Sequence, residues 1–460
     1  MKNKFQKNVL VLALLTVLPF IANAEQDNNK VKDEKEVVPG EFLIRFSLNA
    51  TAADKDRVLK RVNGQEVEKI RDKNKQGDKS ENDVSLIRHN RSDLTPEQAK
   101  QKLESDPAVE GVEENQIFHH EVVANDPGLA ANYNLWGMYG LTSVPRNDFG
   151  SRAADAWSLN KTDCSNVYVG IIDEGYMYTH EDLALNAGKN PKEIAGNRKD
   201  DDGNGFIDDV YGWDFAGKND TVFDGIDDDH GTHVAGAIGA VGNNAKGVAG
   251  VCWKVKILNA KFLTNTGGTL ANAIKAVDYF TNLKKAGVNI VATNNSWGGG
   301  SYSKLLADAI ERANQAGILF VAAAGNAAND NDTTPSYPAS YLNENVISVA
   351  AIDQYGALAS FSNYGKNSVD LAAPGVSILS TVPMLSGTKI VSGYAYYNGT
   401  SMATPHVTGA VALYASIYKA QTGVNPTVNQ IKAAILTNAI TTNSIAGKTN
   451  TGARLNVGTF

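Results

Sequence analysis

From about Asp126 to the last residue, short apolar runs that stop on polar residues alternate with longer segments of helical period that stop on glycine. The runs are "VYVGIID", "KVKILNAKF", "VNIVATNNS", "ILFVAAAGN" and "VISVAA", and between them "TLANAIKAVDYFTNLKKAG" and "SKLLADAIERANQAG" have the helical spacing. Strands that are apolar throughout must be covered on both faces, and strands separated by helices run parallel. The expected fold is therefore α/β: a doubly wound, mostly parallel sheet with helices on both faces. Ligands of such sheets bind beyond the carboxyl ends of the strands. Here those ends are Asp173, Asn294 to Ser296, and Asn326, so polar residues should collect along one rim.

The part before this domain has a different composition. Between Ala24 and about Ala124 roughly two residues in five are charged, and beyond that point roughly one in seven, a shift expected at a boundary between units. "GEFLIRFS", "TAADKDRVLKRV", "DVSLIRH" and "TPEQAKQKLESDPAVEGVEEN", with a lysine-rich loop from about Arg71 to Asn82, read as a small α+β unit of β-α-β-β-α-β type. Residues 1–24 have three lysines, an apolar run from Val9 to Ile21, and Ala22-Asn23-Ala24, the pattern of a cleaved secretory signal peptide. That run is too short to span a bilayer and no later segment is apolar enough, so a secreted protein, extracellular or periplasmic, without a membrane span is expected. A net charge of -7 and no arginine-rich stretch give no surface suited to nucleic acid. Cys164 and Cys252 each flank a strand and lie outside any C-x-x-C spacing; a disulfide and two separate thiols both fit.

The rim carries candidate chemistry. A serine hydroxyl becomes a nucleophile when a base takes its proton, and that base needs a buried carboxylate to orient it. Asp173 closes an apolar strand, His230 opens the apolar helix "HGTHVAGAIGA", and Ser401 opens "GTSMATPHVTGAVALY", where the positive helix end favours alkoxide character. Asn326 offers an amide N–H to an oxyanion, a donor worth on the order of 3 kcal/mol. His230 and His233 lack H-E-x-x-H and a third ligand, which argues against zinc. His233 and His406 read as core residues. A lipase would want G-x-S-x-G around its serine, which is missing at Ser401. "DDDGNGFIDD" places Asp200, Asp202, Asn204 and Asp208 at EF-hand-like spacing for calcium, with Tyr211 where the last acidic ligand would stand; a solvated turn is the competing reading.

The blocks "VGIIDEG", "HGTHVAG" and "GTSMATPHV", with "AAAGN", closely resemble those of the subtilisin-like serine proteases, in their thermitase-like branch. The resemblance implies a triad of Asp173, His230 and Ser401, with Asn326 as oxyanion donor. It implies substrate walls at Ser296, Trp297 and Gly298 in "NNSWGGG" and at Ala323, Ala324 and Gly325, with Gly267 and Gly268 in "NTGGT" on the other edge, their backbone groups open to a peptide. No acid stands on those walls, so an apolar or aromatic residue should precede the cut. A family calcium site would use Asp126, Asp182 and Asn244, with carbonyls of Val241, Lys246 and Val248. Asp214 matches one ligand of a further site, where Gly217 replaces a carboxylate. By the same resemblance, residues 25–121 are an inhibitory propeptide and folding template, and residues 122–460 a catalytic domain, monomeric and cutting protein or peptide substrates. The alternative is an inactive binding protein on this scaffold. Glu174 departs from the family, which has a small residue there; alternation along the strand predicts that it points away from Asp173.

Overall fold

The computed structural model describes residues 37–71, 82–116, 124–130 and 134–460. The signal-peptide segment, most of the lysine-rich loop, and His119 and His120 lie outside the described residues. The chain divides into two compact units, Met1–Phe118 and His119–Phe460.

In the first unit β1 (Val37–Phe46), β2 (Gly64–Arg71), β3 (Val84–His89) and β4 (Val109–Gln116) form an antiparallel sheet in the order β2-β3-β1-β4. Helices α1 (Ala52–Arg61) and α2 (Pro96–Glu104) connect them. Both helices start in a capping box, Thr51 with Asp54 and Thr95 with Gln98, which satisfies N–H groups that a helix start leaves open. Val58 of α1 and Ala99 and Leu103 of α2 pack on Phe42, Ile44 and Phe46 of β1 to make a small core.

The second unit is built on the expected sheet. Strands β5 (Asp163–Asp173), β6 (Gly212–Asp214), β7 (Lys254–Lys261), β8 (Ile290–Asn295), β9 (Leu319–Ala323), β10 (Val346–Ile352) and β11 (Leu371–Pro374) pair in parallel in the order β6-β7-β5-β8-β9-β10-β11. Two layers of apolar side chains cover it. On one face lie the short α3 (Ala153–Ser158) with α4 (Asp229–Gly239) and α7 (Thr400–Thr422), the last two packed against each other; on the other lie α5 (Leu270–Lys285) and α6 (Lys304–Gln315). Helix α7 is buried nearly all round, which its near-continuous small and apolar residues permit. A hairpin, β12 (Ile378–Ser386) and β13 (Lys389–Tyr397), leads into it. Cys164 on β5 and Cys252 just before β7 form a disulfide with their Cα atoms 6.0 Å apart, resolving the alternative that spacing left open.

Candidate active site

Each rim residue owes its place to an element end. Asp173 is the last residue of β5 and fully buried. His230 is the second residue of α4, whose start is drawn close to the turn after β5 because position 231 is glycine: a Cβ there would overlap the carbonyl oxygen of Gly175. The result is a short pair, His230 Nδ1 standing 2.9 and 3.1 Å from the two oxygens of Asp173. Burial disfavours the imidazolium, but the charge and hydrogen bond of Asp173, with Glu174 and Asp229 behind it, outweigh this and push His230 up to about 9.

Ser401 follows Thr400 in the first turn of α7, and Gly399, not the serine, occupies the capping position. Ser401 Oγ donates to the carbonyl of Ser296 at 3.3 Å, and Ser296 Oγ returns a bond to the carbonyl of Ser401 at 2.8 Å, tying α7 to the end of β8. In this rotamer no hydrogen bond joins Ser401 Oγ to His230. Asn326, beyond β9, accepts at Oδ1 from both the N–H and the hydroxyl of Thr400, each at 2.9 Å. That bond pattern turns its Nδ2 the other way. A Cβ on Gly399 would stand 3.5 Å from Ser401 N and 3.6 Å from Asn326 Nδ2, so the two donors border one small space.

On the expected substrate walls, Ser296 is buried and Trp297 packs edge-on against Phe262 at 4.9 Å, while Gly298 and its neighbours lead to a bridge between Gly300 and Tyr337. Opposite, Ala323 and Ala324 are buried, and Gly325 donates its N–H to Thr400 Oγ1 at 3.2 Å, close to Ser336 Oγ. The expectation of open backbone groups at Gly267 is corrected. Its N–H and C=O both bond Thr264 in a closed turn with φ +101°, and Gly268 packs under Phe262 and Leu263. A surface cavity of about 820 Å³, lined by Tyr302, Tyr337 and Tyr341 among others, includes none of Asp173, His230 and Ser401.

The expectation for Glu174 is corrected as well. Its Oε1 accepts the backbone N–H of His230 at 2.7 Å. Strand alternation ceases at Asp173, where β5 ends, so the next side chain obeys the turn rather than the pleat.

Two acidic clusters bear on a metal. Asp126 and Asp182 are buried, accept N–H groups of Asn243, Asn244 and Val248, and have no ion-pair partner among the described residues. Burial raises both, Asp126 to about 6, and each adds to the other's cost. Asn244 turns its Nδ2 to Asp182 at 2.7 Å and its Oδ1 to the N–H of Lys246, and Val241 donates its N–H to the Asp182 carbonyl. Buried, mutually repelling carboxylates without a cation are a donor set that fits a hard divalent ion. In the second cluster an oxygen of each of Glu193, Asp200 and Asp202 lies within 4.8 Å of the others. Asp208, expected there, instead accepts the N–H groups of Gly196, Asn197 and Arg198. Asn204 bonds Asp209, and Asp214 caps the turn at Ala216 and Gly217. Glu193 was missed because it precedes the loop, whereas the EF-hand pattern looks for its last acid after it.

Residues 164–457 match the Subtilase family. Over 431 residues, 90% of this chain and 90% of the other, the sequence is 33% identical to the thermophilic serine proteinase of Bacillus sp. (strain AK1). The chain belongs to the subtilase family. Subtilase relatives include thermitase of Thermoactinomyces vulgaris, 38% identical over 266 residues, 58% of this chain and 80% of that one. A solved protease from Pseudoalteromonas arctica PAMC 21717 aligns with TM-score 0.56 and 27% identity, covering 73% of this chain and 97% of that one. By class this subtilase is a subtilisin-like serine endopeptidase.

Proposed function

We propose that the protein is a secreted endopeptidase in which Asp173, His230 and Ser401 act as the triad and Asn326 as an oxyanion donor. The observation that carries this reading is the 2.9 Å pair of His230 and Asp173 on the same rim as a serine whose own nitrogen and Asn326 Nδ2 border one space beside Gly399. Asp173 bonds Nδ1 of the imidazole and thereby leaves Nε2 as the base. In the reacting enzyme Ser401 Oγ leaves the Ser296 carbonyl, which it meets at 3.3 Å, and donates to that nitrogen instead. Oγ then attacks the scissile carbonyl while Nε2 takes its proton. The resulting oxyanion is met by Ser401 N and Asn326 Nδ2. Nε2 returns the proton to the leaving amine, an acyl-enzyme forms, and water releases it by the same steps in reverse order of groups.

The apolar walls at Ser296 to Gly298 and Ala323 to Gly325 support cleavage after apolar or aromatic residues; strict cutting after Lys or Arg in a peptide-library digest would contradict this. Calcium held by Asp126 and Asp182, and by Glu193, Asp200 and Asp202, would neutralise buried charge and stabilise the fold. The likeness to the Bacillus proteinase reaches past the second unit into the first, which supports a precursor whose residues 25–121 are removed by self-cleavage. Ser401→Ala tests the reading directly. The variant should accumulate as uncut precursor and resist labelling by a sulfonyl fluoride, and a variant that still matures and hydrolyses casein would refute it.

A further inference from the structure

Three polar groups of Glu174 are tied to the site. Its N–H donates to Asp173 Oδ1 at 2.8 Å, its Oε1 accepts the N–H of His230 at 2.7 Å, and its carbonyl accepts the Lys261 ammonium at 2.6 Å. Helix α4 begins without a side-chain cap of its own: Asp228, at the capping position, gives its carboxylate to Lys261 and to the N–H of Asp224. The first N–H groups of a helix lack partners and carry partial positive charge. Glu174 supplies the missing acceptor from outside the helix, at the residue that carries the imidazole.

We propose that Glu174 is a positioning residue whose carboxylate clamps the backbone of His230 to the turn bearing Asp173 and whose charge tunes the imidazole. This inference rests on the triad reading above. The groups facing Glu174 are Asp173 on β5, Asp228, Asp229 and His230 at the start of α4, Lys261 at the end of β7, and Tyr397 at the end of β13. Burial, followed by the charge of Asp173, raises Glu174 to about 7, while His230 opposes the rise. Above that value the clamp is charged and strong, and its negative charge holds the imidazole proton more tightly. Because Lys261 holds the carbonyl of Glu174 independently, the side chain can be altered while the turn stays in place.

The test is kcat and KM of the mature enzyme on a peptide substrate from about pH 5 to about pH 11. Glu174→Ala should lower kcat about tenfold with KM nearly unchanged. Glu174→Gln keeps an acceptor oxygen and loses the charge; it should recover most of kcat and move the acid limb of kcat/KM down by about half a pH unit or more. Wild-type kcat and an unmoved limb in both variants would overturn the proposal. If the alanine variant does not mature, the imidazole of His230 is titrated by NMR in Ser401→Ala with and without Glu174→Gln: a lower pKa supports the tuning by the Glu174 charge, and an unchanged one overturns the proposal. Wild-type protein that ignores a sulfonyl fluoride would sink the triad reading instead, and the NMR titration would still decide whether Glu174 tunes His230.

Discussion

His230 is pulled in two directions, and the balance sets how the site responds to pH. Burial opposes its charge, Asp173 at 2.9 Å favours it, and the net push to about 9 keeps the ring protonated at neutral pH. A protonated imidazole cannot take the Ser401 proton, so kcat/KM should climb with pH and level off only in the alkaline range. A profile flat between about pH 6 and about pH 9 would contradict this. Stability runs the other way: a histidine raised in the folded state contributes fully below its unfolded value, and that contribution is lost as pH rises through about 9. His233 and His406 behave oppositely, as core residues bonded to Ile378, Ala395 and Met402 carbonyls, with burial pushing them down to about 3 and about 4. Asp173, His230 and Ser401 were legible as candidates because each sits in a dense local motif, and the structure pairs the first two. Glu174 was not: the strand end at Asp173 was legible, but the side-chain direction of the next residue is set by the turn through Gly175, at φ +114°, and not by the pleat.

The approach of α4 to the end of β5 is the contact on which the pair depends. Gly231→Ala puts a methyl into the Gly175 carbonyl, a backbone neighbour with little room to yield. The helix start must retreat, at a cost of about 2 kcal/mol in stability. Turnover should fall at least about tenfold with the lengthened His230 to Asp173 bond. Denaturant unfolding and kcat on one preparation check this, and near-wild-type values for both would show that the turn absorbs the methyl. Elements of this kind differ in how far sequence reveals them. The five long apolar strands and the two glycine-terminated helices stand out because a sheet covered on both faces needs unbroken apolar runs. The three-residue β6 and the four-residue β11 are too short to show a period. β2 is an exposed edge on which Val67 and Ile70 are half exposed, so its pattern is largely polar. The β12–β13 hairpin escapes notice because its outer half faces solvent with Met384, Leu385, Ile390 and Val391.

At the scale of the molecule the buried carboxylates govern the response to acid and to chelators. Asp126, raised by burial to about 6, binds a proton more readily folded than unfolded, so without a metal the fold loses stability as pH rises from about 4 to about 6, by about 3 kcal/mol from this group. A bound cation needs the ionised form and cancels that loss. EDTA should therefore lower the melting temperature more at about pH 7.5 than at about pH 5, and equal shifts at both, or none, would dismiss metal at Asp126 and Asp182. The covalent link from Cys164 to Cys252 gives this assembly a direction. It closes a ring that contains Asp173, His230, Asp182 and the cluster of Glu193, Asp200 and Asp202, while Asp126, Ser401 and Asn326 enter from chain outside it. Asp173 and His230 thus belong to the closed ring and Ser401 and Asn326 to the open chain that follows it, so the four share one rim only once that later chain has docked on the ring. A chain in which only the ring has folded would hold the paired aspartate and histidine without the serine.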